Sequence, residues 1–213
     1  MLKVGEDSKM ANRNGGDTLP VPISQLKLDR SLQNCGRTRV SRAYQSCNAP
    51  TIWAYDQDTA PVSWSVSVSE EQKKRSLEIT NPSGQEVVLV PLDRCVITGQ
   101  KYIQGGVADC LLLTGKAFCL VEFKTNAYDT DHLSDRISDG SRQLWHTYDG
   151  VIHPCCKSSG IAIEKVVSEI TFQIVLSEMM QLTMASATIQ DTQFEFFTEH
   201  GILLFVSRQK TFG

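Results

Sequence analysis

The sequence predicts a mixed α/β (α+β) fold, in which helices flank a mixed central β-sheet. In the first half of the chain, Val62, Trp64, Val66 and Val68 alternate with serines, as residues of half-buried strands do. Residues 131–151 change to a helical spacing of apolar positions. Two apolar runs follow, 166–176 and 202–206, with a second helical segment over 192–200 between them. This order of strands, helix, strand, helix and strand is typical of a layered domain built on one sheet.

Length and composition restrict the classes of function. The 213 residues suit one domain with a sizeable core. A net charge of −3 excludes a global basic field, so binding of nucleic acid would need a local patch. Seven cysteines and no N-terminal signal pattern predict free thiols and a cytoplasmic location. No apolar run approaches the roughly 20 residues of a membrane span, so we expect no membrane partner.

The chain divides into three predicted regions. Residues 1–21 are polar, glycine-rich and aperiodic, and we expect a flexible N-terminus. Residues 22–86 carry helix and strand signals, and they belong either to the core or to an appended specificity or partner element. Residues 87–213 form the predicted core.

Three local predictions concern connections. We expect a loop over 49–61 and a second loop over 153–160. The segments 76–80 and 86–90 flank the turn residues 81–84, which predicts a β-hairpin. Gly140 is expected to weaken the middle of the helix over 131–151.

The stretch from Ala108 to Asn126 contains three charged residues in an otherwise apolar hairpin. Glu122 and Lys124 are two apart on a strand, so they share one face. Apolar side chains occupy both faces around them, which predicts a central strand covered on both sides. Ionised groups are costly there unless they are paired or bind a metal.

The length of the turn decides whether Asp109 joins Glu122. A two-residue loop at Thr114–Gly115 makes the two acids diagonal neighbours on one face, and a four-residue loop makes them directly opposite. A three-residue loop sends them to opposite faces. Even loops, which include the favoured short hairpin, therefore bring two carboxylates and one ammonium together.

Two carboxylates with a lysine suit hydrolysis of a phosphodiester. Mg²⁺ binds a few protein oxygens, retains water ligands and lowers the pKa of a bound water. A neighbouring ammonium orients or deprotonates the water, or neutralises the phosphate. The alternative is a structural ion pair between Lys124 and the acids.

Asp109 followed by Glu122-Phe123-Lys124 resembles the PD-(D/E)xK nuclease superfamily, which has the restriction-endonuclease-like fold. The core of that family is a helix, a three-strand meander, a helix and a further strand. The resemblance assigns the meander to Val87–Ile97, 108–115 and 116–126, the helix to 131–151, and the next strand to 166–176. It covers residues 87–206.

The resemblance also implies roles for individual residues. Asp109 and Glu122 would bind Mg²⁺, with Mn²⁺ as an alternative, and the Phe123 carbonyl would add a ligand. Lys124 would serve the attacking water, and Gln143 on the following helix would support the site. One branch of the family has a tyrosine four residues after this glutamine, whereas this chain has Thr147 there.

Other charged residues are candidates for supporting roles at the predicted site. Arg136 and Arg142 on the predicted helix are candidates for phosphate contacts, with solvated surface charges as the alternative. The family also uses a supporting acid from its first helix, and Glu70, Glu71 and Asp93 are all left open for that role.

The sequence therefore predicts a Mg²⁺-dependent nuclease that hydrolyses nucleic acid by means of a metal-activated water, with DNA favoured over RNA as the substrate. The alternative is a catalytically silent module that keeps the nuclease-like fold for binding or assembly, which the acidic net charge favours. A homodimer or a protein partner is compatible with either function.

Overall fold

The computed structural model describes residues 18–57, 59–125, 133–183 and 186–213. Within these ranges the chain forms helices that flank two mixed sheets. The predicted mixed α/β class is therefore confirmed.

Ten strands occur in the described part of the chain. In order they are β1 Gln45–Cys47, β2 Thr51–Gln57, β3 Ala60–Ser65, β4 Leu77–Thr80, β5 Val87–Pro91, β6 Cys110–Leu113, β7 Ala117–Lys124, β8 Glu169–Leu176, β9 Leu203–Val206 and β10 Gln209–Thr211.

Helical segments precede the first strand and connect many of the later ones. They are α1 Val21–Gln25, α2 Leu28–Ser31, α3 Val40–Ala43, α4 Glu70–Lys73, α5 Gln100–Ile103, α6 Leu133–Trp145, the π-helix His146–Ile152, α7 His153–Ser158, α8 Ile163–Val166, α9 Glu178–Thr183 and α10 Ser186–His200. None of the helices in the described ranges has the length and apolar character needed to cross a membrane.

The larger sheet has six strands in the order β1-β5-β6-β7-β8-β9. Strands β5, β6 and β7 are an antiparallel meander, while β8 and β9 run parallel to β7. The predicted meander, the helix after it and the two later strands are confirmed. Residues 126, 131 and 132, at the edges of those predicted elements, lie outside the described residues.

The second sheet has four strands in the order β10-β4-β2-β3. Strand β10 comes from the C-terminal part of the chain and pairs in parallel with β4. Two predictions are wrong here. Residues 49–61 contain strands rather than a loop, and β4 and β5 belong to different sheets instead of forming a hairpin.

Asn81 explains why β4 and β5 separate. Its side-chain amide donates to the carbonyls of Ala49 and Gln85, at 3.3 and 2.9 Å. The amide thus fixes the segment as it crosses between the sheets, where a hairpin would reverse it.

The six-stranded sheet has an apolar core on each face. The helix-side core includes Phe118 and Leu120 of β7 together with side chains of α6. The strand-side core includes Cys119 and Val121 of β7 together with side chains of β2, β3 and β4. Strand β7 is therefore covered on both faces, as its apolar pattern predicts.

Helix α6 begins at Leu133 and passes through Gly140 without a break, so the expected weakening at this glycine is wrong. A Cβ built on Gly140 would lie 3.1 Å from Cδ1 of Ile174 and 3.5 Å from Cε of Lys124. The glycine allows the helix to approach the sheet closely beside the predicted site. The expected loop over 153–160 is also wrong, because α7 occupies most of it.

The N-terminal predictions have a mixed outcome. Residues 1–17 of the predicted flexible N-terminus lie outside the described residues. The rest of that segment belongs to the folded part of the chain, since Leu19 packs against the helix-side core and Val21 begins α1. Residues 22–86 contribute β1 to the larger sheet and three strands to the smaller one.

Candidate active site

The β6–β7 hairpin brings the two predicted acids face to face. Leu113 pairs with Phe118, and Cys110 pairs with Val121. One position further along this register, Asp109 lies opposite Glu122. The loop therefore has an even number of residues, as convergence of the two acids requires, and the register is the one expected for a four-residue loop.

The predicted position of the tight turn, Thr114–Gly115, is wrong by one residue. The backbone N–H of Thr114 donates to the Ala117 carbonyl at 3.0 Å, so the chain reverses at Gly115 and Lys116. The Thr114 hydroxyl oxygen accepts from the backbone N–H groups of Lys116 and Ala117. This side chain therefore selects the turn that places the acids opposite each other.

Asp109 is held from two directions at the start of β6. Its carboxylate oxygen Oδ2 accepts from the backbone N–H of Phe123 at 2.6 Å. Its carbonyl accepts from the backbone N–H of Leu92 at 2.9 Å. Only 8% of the residue is exposed, so the carboxylate has one fixed orientation beside Glu122.

Glu122, Lys124 and Gln143 form a chain of polar contacts. Oε1 of Glu122 lies 2.7 Å from Nζ of Lys124, and this ammonium donates to Oε1 of Gln143 at 2.6 Å. Glu122 is 4% exposed. Among the residues that the structure describes, its second oxygen, Oε2, has no hydrogen-bond partner.

The buried carboxylates have perturbed protonation equilibria. Burial raises the pKa of Asp109 well above its usual 3.8, and the charge of Glu122 raises it further. Burial likewise raises the pKa of Glu122 from 4.5 to about 7, although the Lys124 ammonium acts against this. In its fully ionised form the pair therefore has one ammonium, that of Lys124, against two buried carboxylates.

Two glycines allow Gln143 to reach the site. A Cβ on Gly106 would lie 2.5 Å from Cγ of Gln143, and the φ of +81° there also favours glycine. Gly140 lies one turn earlier on α6, above Lys124. Because neither glycine has a side chain, the amide of Gln143 can meet the lysine of β7.

Thr147 is a positioning residue that sequence reasoning did not find. Its hydroxyl accepts from the backbone N–H of Ala108 at 2.7 Å and donates to the Gln143 carbonyl at 2.8 Å. It thus links the residue before Asp109 to the helix that carries Gln143. The signal in the sequence was its position four residues after the glutamine, where one branch of the resembling family has tyrosine.

We expect Thr147→Val to destabilise the protein by about 1–3 kcal/mol, because the buried N–H of Ala108 loses its acceptor. Denaturant unfolding measures the change. Thr198→Val is the matched control, since Thr198 makes the same helical bond to the carbonyl four residues earlier but lies at the surface. Equal losses in the two variants would contradict the positioning role.

The site opens into a cavity of about 450 Å³. Asp109, Glu122, Phe123, Lys124 and Gln143 all line it. The structure therefore places every predicted catalytic and metal-binding residue in one cavity.

The same cavity contains charged residues from other elements. Asp56 of β2, Asp93 and Arg94 after β5, and Arg136 of α6 also line it. Arg94 has a φ of +57° and donates to Asp93 at 2.9 Å and to the carbonyl of Gln57 at 3.4 Å. This left-handed conformation is unfavourable for an arginine, and the two hydrogen bonds hold it in place. No motif in the sequence signals Asp56 or Arg94.

The remaining predicted residues divide between this cavity and the surface. Arg136 lines the cavity, whereas Arg142 is exposed and paired with Asp139 at 2.8 Å. Of the three candidates for the supporting acid, only Asp93 lies at the site. Glu70 and Glu71 pair with Lys73 and Lys74 on α4.

A metal site built from protein side chains alone is not present in the described ranges. No group of three or more His, Cys, Asp or Glu side chains there is arranged to hold an ion. A cation at Asp109 and Glu122 would therefore have two carboxylates and otherwise water, carbonyl or substrate oxygens as ligands.

Comparison of the chain with protein-family models, curated proteins and solved structures finds no match.

Proposed function

We propose that the protein is a Mg²⁺-dependent nuclease that hydrolyses phosphodiester bonds in nucleic acid, with DNA preferred over RNA. The observation that carries this proposal is the buried pair Asp109 and Glu122, opposite each other in a cavity that also contains Lys124 and Gln143. Mn²⁺ is the alternative ion.

The residues fit a divalent cation. Oε2 of Glu122 is buried without a partner among the described residues, and an unpaired buried carboxylate oxygen is costly. Burial is also the main cause of the raised pKa values of Asp109 and Glu122. Asp109 and Glu122 would hold the ion, with the Phe123 carbonyl as a further ligand. Mg²⁺ commonly uses one or two carboxylates and completes its shell with water and phosphate oxygens.

When bound, the ion would supply a water of lowered pKa and stabilise charge on the phosphate. The residues of the chain have separate tasks. Lys124 presents an ammonium beside the reacting group, where it orients the water or neutralises developing charge. Gln143 holds that ammonium through its Oε1, and the amide of Phe123 fixes the orientation of Asp109.

The charge of the cavity also supports a metal-dependent reaction. Among the residues that the structure describes, the cavity is lined by four acidic residues, Asp56, Asp93, Asp109 and Glu122, and by three basic residues, Arg94, Lys124 and Arg136. A phosphodiester would meet a slightly anionic wall without a cation. One divalent ion reverses the balance, and Arg94 and Arg136 then stand where they can contact phosphate oxygens.

The topology supports the resemblance to the PD-(D/E)xK superfamily. Asp109 directly precedes the second strand of the meander β5-β6-β7, and Glu122 and Lys124 lie on its third strand. Helix α6 then crosses to β8, which is parallel to β7. These are the positions that the resemblance assigns. The seven free thiols fit the proposed cytoplasmic location.

The test is cleavage of labelled single-stranded and double-stranded DNA and RNA, each with Mg²⁺, Mn²⁺ or EDTA. We expect cutting that requires the divalent ion and is stronger on DNA. Isothermal titration calorimetry with MgCl₂ should show one site that is lost in Asp109→Asn.

Two results would overturn the proposal. Cleavage that persists in EDTA would point to a contaminant or another mechanism. Absence of both Mg²⁺ binding and cleavage would leave the silent binding or assembly module, in which Lys124 and Glu122 are only a structural ion pair.

A further inference from the structure

Cys35 and Cys155 are in contact although they lie 120 positions apart in the chain. Their sulfur atoms are 3.7 Å from each other. Cys35 follows α2 and is 1% exposed, whereas Cys155 lies in α7 and is partly exposed. Disulfide sulfurs are about 2 Å apart, so the two sulfur atoms would have to approach each other by about 1.7 Å to form a bond.

The surroundings distinguish the two thiols. The hydrogen bond from Cys35 and the nearby ammonium of Lys101 lower the pKa of Cys155 to about 7. The same shared bond and burial raise the pKa of Cys35. A partly exposed thiol with a lowered pKa beside a buried partner is the usual arrangement of a reactive and a resolving cysteine.

The other cysteines lack this arrangement. Cys156 is adjacent in sequence but fully buried, and its sulfur faces the carbonyl of Leu26. Burial raises the pKa of Cys156 to about 11. Cys47 has similar partial exposure to Cys155, but its sulfur accepts from the backbone N–H of Ala49. These two residues therefore serve as controls for sequence position and for exposure.

We propose that Cys35 and Cys155 form a reversible disulfide when the protein meets a peroxide, with Cys155 reacting first. This modification site is independent of the proposed nuclease activity.

Disulfide formation by peroxide takes place in two steps. The Cys155 thiolate attacks one oxygen of hydrogen peroxide, the O–O bond breaks, and hydroxide leaves, which gives a sulfenic acid. The Cys35 sulfur then attacks the sulfenic sulfur, its proton leaves with the hydroxyl group as water, and the S–S bond forms. Two thiols and one peroxide thus become one disulfide and two waters, and a dithiol reductant reverses the change.

The bond would join two segments that lead to the cavity. The carbonyl of Cys35 accepts from the backbone N–H groups of Thr98 and Gly99, which precede α5 and Asp109. Cys155 follows the π-helix that continues α6 beyond Gln143. Cross-linking positions this far apart restricts the unfolded chain, so oxidation should raise the thermal midpoint by about 5–10 °C.

The experiment treats the reduced full-length protein with a small excess of hydrogen peroxide, blocks free thiols and digests with trypsin without reductant. Mass spectrometry should find the peptide 31–37 joined to the peptide 143–157, lighter than their sum by two hydrogen atoms. Dithiothreitol should separate them. The same result in Cys156→Ser assigns the bond to Cys155, since both cysteines share that peptide.

Two variants test the order of reaction. In Cys35→Ser, Cys155 should accumulate as a sulfenic acid that dimedone traps, and the thermal midpoint should no longer rise on oxidation. Cys47→Ser should behave as the wild type. A bond from Cys35 to Cys156, oxidation of Cys47 as fast as that of Cys155, or no joined peptide would each overturn the proposal.

Discussion

Replacing Lys124 with alanine should lower Mg²⁺-dependent cleavage of DNA by at least about 100-fold while the fold survives. The ammonium lies 2.7 Å from Glu122 and 2.6 Å from Gln143. It is therefore the fixed positive charge nearest the buried acids. Its loss removes a group that acts on the attacking water or on the phosphate.

Single-turnover rates with saturating enzyme separate this effect from weaker substrate binding. Lys124→Met keeps most of the aliphatic stem and should lose as much activity as the alanine variant. Lys116→Ala, in the exposed turn of the same hairpin, should keep its activity. Full activity in Lys124→Met, with an unchanged circular dichroism spectrum, would reject a catalytic role for the ammonium.

The second large effect is a pH-dependent stability difference between the wild type and Glu122→Gln. The folded-state pKa of Glu122 is raised from 4.5 to about 7. The native state therefore binds more protons than the unfolded state between these values, and this contribution to stability is lost as pH rises through about 7. A glutamine does not titrate, so the free energy of unfolding of the variant should rise relative to that of the wild type between pH 5 and pH 8.

The expected change is on the order of 2 kcal/mol in the free energy of unfolding. Urea titrations in EDTA at pH 5, 6, 7 and 8 measure it. Glu86→Gln, at an exposed position, should show no such trend. Adding Mg²⁺ at pH 8 should stabilise the wild type more than Glu122→Gln. A difference that stays constant with pH would mean that Glu122 is not the destabilised acid.

The candidate site was more predictable than the fold around it. Asp109, Glu122 and Lys124 depend on strand periodicity and turn parity, both of which are local properties of a hairpin. The exact turn was not predictable, because the Thr114 hydroxyl selects it by binding two backbone N–H groups. Asp56 and Arg94 come to the cavity from β2 and the segment after β5, and only the tertiary fold brings them there.

The fold predictions failed where distant segments determine the structure. Gly140 looks like a helix breaker, but close packing against Ile174 and Lys124 overrides its low propensity. The segments β4 and β5 look like a hairpin, but Asn81 and the pairing of β4 with β2 and β10 divide them between two sheets. Local patterns carry no information about either interaction.

Strand β10 has a consequence for the biosynthesis of the protein. The backbone N–H of Glu78 in β4 donates to the carbonyl of Arg208, and the backbone N–H of Phe212 donates to the carbonyl of Thr80, so both bonds span more than 100 residues. The smaller sheet therefore lacks this edge strand until the ribosome has added residues 209–211. Phe212, which follows β10, lies in the same buried core as Leu77 and Ile79, so this core is also incomplete until that segment is present. Long-range pairing of this kind is slow, so we expect this layer to be completed late in folding.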